Sequence, residues 1–152
     1  MKFLMPLKKE KNKVSPIENK LCDIQGRLFE LSVEKGYESE SFIKCFMLSK
    51  VAENLDSSYN RMQWAGEEYL LEEIIDECGC NLKKSDKKAS KDEVYWIGYI
   101  YRYWHYYKNE KSKKIYKQAT YKRMMINFLM FHTMSPEMAI DDLIEIHKQK
   151  LN

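Results

Sequence analysis

The sequence predicts an all-α protein, a compact bundle of six to seven helices around a central aromatic-rich helix at about 91–108. Three observations carry that expectation. Five Gly and three Pro in 152 residues are too few for the frequent turns of an all-β chain. Apolar residues recur at intervals of three and four, the spacing of one helix face. Helix-start devices precede those runs: Ser15-Pro16, Ser135-Pro136 and the capping-box pattern Ser90-x-x-Glu93.

Residues 1–14 hold five lysines and little periodicity, so they read as a flexible basic segment ahead of one helical domain at 15–152. Ser15 and Pro16 open a first helix whose inner stripe is Ile17, Leu21, Ile24, Leu28 and Leu31, and Gly36 ends it. A second helix runs from Ser39 or Ser41 to Leu55, burying Phe42, Ile43, Phe46, Met47, Val51 and Leu55, until LDSSYN breaks it. A third covers roughly 58–78, with Met62, Ala65, Tyr69, Leu70 and Ile74 facing inward. Gly66 within it marks a kink or a close approach of another backbone. A lysine-rich linker follows at 81–90, and Ser90 with Glu93 starts the aromatic helix. Ser112 caps a short helix over KKIYKQA, and Thr120 or Tyr121 opens another that reaches about His132. Ser135-Pro136 starts the last helix, lined on one side by Met138, Ala139, Leu143 and Ile146.

In the central helix, YWIGYIYRYWHYY places eight aromatic residues among thirteen. At 3.6 residues per turn, Val94, Ile97, Tyr101 and Trp104 form one stripe, and Trp96, Ile100, Tyr103 and Tyr107 form a second. A helix apolar on two sides is packed on both, so most of these rings belong to the core. Arg102 and His105 remain as a polar pair on one face. The bland role for them is a guanidinium stacked on rings and paired with an acid; the sharper one is a charged site in which His105 moves a proton.

Charge is unevenly spread over a net of +3. EEYLLEEIIDE (67–77) has six acids and no base, whereas residues 108–123 have seven bases and one acid. Glu67, Glu68, Glu72 and Glu73 form an acidic helix face that is either simply solvated or able to steer a partner. Lys113, Lys114, Lys117, Lys122 and Arg123 lie on a short helix, a turn and a longer helix, the rough outline of a helix-turn-helix. That turn lacks glycine, and KRMMINFLMF is strongly apolar after its first turn, which leaves little to lie in a groove.

No phosphate loop, nucleophile elbow or zinc-ligand spacing is present, so no cofactor or metal is expected. Cys78-Gly-Cys80 has no second ligand pair, and Cys78 is expected to pack at a helix end. With four cysteines in no disulfide pattern and no signal-like apolar run, the chain is expected to be cytoplasmic, with reduced thiols and no membrane span.

Arg102 and His105 on one helix also bring the chain near the HEPN ribonucleases, small all-α bacterial toxins with an Arg, a polar residue, and a His four to six residues on. Here two residues separate the pair, and Tyr103 replaces the polar neighbour. MQWAGEEYLLEEIIDE, VYWIGYIYRYWHYY, SKKIYKQA and NFLMFHTMSPEMAIDDLIEI together resemble a group of small helical bacterial proteins of toxin–antitoxin-like operons, some beside ADP-ribosyltransferase-like toxins. The resemblance covers about residues 15–148 and implies an all-α protein that acts by binding a partner; the leading reading is a non-enzymatic antitoxin or immunity component that neutralises a neighbouring toxin by direct binding. On that reading Trp64, Trp96, Tyr99 and Arg102 are the desolvated anchors and the acidic face supplies the electrostatics. Two alternatives stand beside it: an RNA- or nucleotide-acting toxin using Arg102 and His105, and a DNA-binding regulator using residues 112–126.

Overall fold

The computed structural model describes residues 14–57 and 65–151, and it is all-helical. Among the described residues there are eight α-helices: α1 (Pro16–Glu34), α2 (Ser39–Met47), α3 (Lys50–Asp56), α4 (Glu67–Cys78), α5 (Lys91–Lys108), α6 (Ser112–Gln118), α7 (Tyr121–Phe131) and α8 (Pro136–Leu151). The basic segment at 1–13 and the positions Met62 and Trp64 lie outside the described residues.

α5 is the axis of the bundle, spanning the expected 91–108. It packs most extensively on antiparallel α1 and also touches α6, α7 and α8. Val94, Ile97, Ile100, Tyr101 and Trp104 are buried, with Trp96 and Tyr103 at the edge of the core. What lets α1 and α5 approach is a pair of glycines. A Cβ on Gly98 would stand 2.7 Å from the Gln25 carbonyl oxygen and 2.9 Å from the Gly26 Cα, and a Cβ on Gly26 would stand 2.6 Å from the Tyr95 ring. The two backbones therefore pass where neither carries a side chain.

That crossing rotates α1 away from its expected stripe. Cys22, Gln25, Leu28, Phe29, Ser32 and Val33 are buried, whereas Leu21, Ile24 and Leu31 are only partly buried and Ile17 is 65% exposed. At the crossing itself the buried positions are Cys22, Gln25 and Gly26, small or polar residues that apolar spacing does not count. Gly66 also departs from expectation: it is the N-cap of α4, with open space around it. Gly36 does end α1, at a φ of 86°.

The second expected helix is two helices. Leu48 caps α2, and Ser49 starts α3 by accepting from the Ala52 N–H at 3.1 Å. Glu77, at the far end of α4, supplies the rest of that cap, accepting from the N–H groups of Lys50 (2.7 Å) and Val51 (3.3 Å). The reciprocal capping box forms at Ser15 and Glu18, while Ser90 caps α5 without a side-chain bond. Ser112 lies inside the first turn of α6, so its hydroxyl is released for another role.

The lysine-rich linker is tied down. The Glu38 N–H donates to the Lys83 carbonyl at 2.8 Å, the Ser85 N–H donates to the Gly36 carbonyl at 2.9 Å, and Tyr37 and Lys84 form an isolated bridge. Along one edge of α5, Tyr95, Tyr99, Tyr103 and Tyr107 make a ladder with ring centroids 6.1–6.4 Å apart. Their hydroxyls reach Asp23 and Asn19 on α1, then Glu137 and Asp141 on α8. Among the described residues no helix is long and apolar enough to cross a membrane.

Candidate functional site

Arg102 and His105 come together with three residues from other elements. The Arg102 guanidinium spreads over three acceptors: Nε donates to Gln25 Oε1 at 2.8 Å, one terminal nitrogen to Asp56 Oδ1 at 2.7 Å, and the other to Ser112 Oγ at 3.3 Å. Asp56 in turn accepts from the Ser112 N–H and hydroxyl, both at 2.8 Å. Gln25 is itself fixed, because its amide donates to the Gly98 carbonyl at 3.0 Å. The Arg102 and Asp56 side chains are 1% and 5% exposed. This is a buried ion pair whose remaining hydrogen-bonding capacity is largely filled.

His105 sits at its rim. Nδ1 lies 2.6 Å from the Glu110 carbonyl, which only accepts, so Nδ1 carries the proton and donates; Asp56 Oδ1 is 3.6 Å from the same nitrogen. Burial foremost, then the neighbouring Arg102 charge, lowers the His105 pKa below its usual value, against an upward pull from Asp56. The imidazole is held neutral and oriented. Beside it, burial pushes the Tyr106 phenol up to about 12 and the Cys22 thiol up to about 12, so neither is ready to ionise.

This arrangement binds itself. General base work needs a nitrogen facing substrate, and phosphate recognition needs free guanidinium donors. Here the guanidinium is shared among Gln25, Asp56 and Ser112. Two surface grooves, of about 400 Å³ between α1 and α4 and about 630 Å³ near Cys45 and Cys78, are lined by neither Arg102 nor His105.

The other candidates fall into three groups. Trp96 is 9% exposed and meets Phe128 edge-on at 5.6 Å, and Arg102 is buried, so neither offers a surface for a partner to cover. Tyr99 is half-buried and donates to Asn19. On α4, Glu68 and Glu72 are exposed, Glu67 and Glu73 are half-buried, and Tyr69 between them is 50% exposed rather than turned inward. Lys113, Lys114, Lys117 and Lys122 are exposed and Arg123 is half-buried, with Lys114 paired to Glu110 at 3.1 Å.

Sequence reasoning missed Asp56, Gln25 and Ser112. Asp56 stands in a segment that reads as a helix breaker, and Ser112 reads as a cap. Gln25 lies off the expected apolar stripe of α1 and is buried because of the close crossing with α5. Cys78 does pack at the end of α4, its Sγ 3.9 Å from the Cys45 carbonyl. Among the described residues no group of three or more His, Cys, Asp or Glu is placed to hold a metal ion.

No family model matches the chain, and no curated protein or solved structure matches it either.

Proposed function

We propose that this protein is a non-enzymatic helical binding protein, the antitoxin or immunity component of a cytoplasmic toxin pair, which neutralises its partner by covering it. The observation that supports the reading is the outer face of α4. Glu68 and Glu72 are exposed beside the half-exposed Tyr69, with Glu73 one turn further on and Glu67 in the first turn, and the four make no ion pair among the described residues. A concentrated acidic face with an aromatic side chain at its centre suits a basic, phosphate-binding cleft, for which it substitutes electrostatically. The occupied state of Arg102 also counts against the toxin alternative, whose chemistry needs that side chain free.

The test is to tag the chain in its own operon and identify what co-purifies. The expected result is one stoichiometric neighbouring protein that is toxic when expressed alone. The charge reversal Glu68→Lys/Glu72→Lys should then abolish rescue while helicity is unchanged. If the chain comes down alone and its own expression arrests growth, the toxin reading replaces this one, and His105→Ala becomes the deciding variant. Retention on DNA that falls steeply with salt and tracks Lys113 and Lys122 would instead favour the regulator.

A further inference from the structure

α7 is apolar on the side that faces water. Met124, Asn127 and Phe131 fix its inner face, yet Ile126, Leu129 and Met130 are 72%, 80% and 71% exposed. Spaced at i, i+3 and i+4, these three make one continuous stripe, bordered by Lys122 one turn before it and Thr133 one turn after. Single exposed apolar residues are ordinary, but three large ones joined on one helix face mark a surface that another molecule covers.

The ends of α7 say which molecule. Its first turn carries Lys122 and Arg123, no acid, and no side-chain cap from Thr120. Cations at a helix N-terminus oppose the macrodipole and cost the isolated helix stability. They make no ion pair among the described residues. The same charges become favourable beside the C-terminal carbonyls of another helix.

We propose that a second copy of this chain covers the stripe, with the two α7 helices packed antiparallel about a two-fold axis. That alignment sets Ile126 of one copy against Leu129 and Met130 of the other. It also brings Lys122 and Arg123 of each copy to the negative end of its mate, so the face complements itself in both shape and charge. A stripe of a few hundred Å² per copy falls short of the roughly 800 Å² per partner of a standard interface, which makes the dimer weak and concentration-dependent. This inference stands on α7 alone and is independent of the toxin-binding role assigned to α4.

Sedimentation equilibrium of the full chain from about 1 µM to a few hundred µM tests it. The wild type should move from monomer toward twice that mass. Leu129→Glu should weaken association by roughly tenfold or more, with its circular-dichroism spectrum unchanged because the side chain is solvent-facing. Lys122→Glu/Arg123→Glu is a second and sharper probe: it should raise the monomer's melting temperature and weaken the dimer several-fold, effects of opposite sign. If Leu129→Glu fails to fold, that double variant decides alone. A wild type that stays monomeric at the highest concentration overturns the proposal. So does a Leu129→Glu protein that dimerises as tightly as the wild type.

Discussion

Asp56 illustrates how much one side chain can hold. It accepts from Arg102 and twice from Ser112, and so joins the end of α3 to α5 and α6. The direction of the energetics follows from burial. A fully paired buried ion pair adds little over an apolar one, but removing one partner strands the other charge in a low-dielectric site. Asp56→Asn should therefore destabilise the fold by about 3–5 kcal/mol in urea denaturation, the typical cost of an unpaired buried charge. A loss below about 1 kcal/mol, the scale of exposed pairs, would mean that water reaches Arg102. The pairing of Arg102 with an acid is a role its sequence context suggested; the identity of the acid was not legible, because Asp56 is 46 residues away and reads locally as a helix terminator.

Among the elements, α1 and α5 are defined by their contact. Gly98→Ala gains helix propensity of about 1 kcal/mol but drives a methyl group into the Gln25 backbone at 2.7 Å, where no side chain can swing aside. The steric term wins: a net loss of about 2 kcal/mol is expected on the usual scale of overpacking, with α1 and α5 forced apart. Gly79→Ala is the matching control. Gly79 has right-handed helical angles and open space around it, so alanine should be neutral or stabilising by up to about 1 kcal/mol. Equal effects at the two sites in thermal unfolding would refute the close-crossing account. The start of α5 was legible from Ser90 and Glu93, and its length from an apolar pattern carried over about five turns. Periodicity misplaced the inner face of α1 because tight helix contacts are made by small and polar residues, which hydrophobic spacing does not count. The break between α2 and α3 was hidden for a related reason: both halves bury the residues that one continuous helix would bury.

At the scale of the whole molecule, the neutral imidazole of His105 gives the fold a pH dependence. Its pKa is lowered on folding, so the unfolded chain binds the proton more readily. Stability is then complete above the ordinary histidine value, about 6.5, and is lost as pH falls through the depressed folded value. The slope contributed by one group cannot exceed about 1.4 kcal/mol per pH unit. Urea midpoints measured from pH 7.5 down to 5 should fall for the wild type and stay flatter for His105→Gln; parallel lines would mean His105 titrates as it does in the unfolded chain. All-helical architecture, the central helix and the charge asymmetry were legible in the sequence because each is a property of many residues at once. The closed state of the Arg102 cluster was not, since it depends on three other helices converging on α5.

The tyrosine ladder on α5 bears on uniqueness more than on strength. Hydroxyl bonds along a partly wet seam add little net free energy, and a helix face rich in similar rings would tolerate sliding. Yet if α1 slipped by one turn, Tyr95 would meet Arg27, or else Asn19, in place of Asp23, and Tyr103 and Tyr107 would still be held by α8. The glycine notch at Gly26 and Gly98 permits a single alignment, and the ladder penalises its nearest neighbours. The central pair is keyed like a lock, so the remaining helices are added to a frame that has one reading.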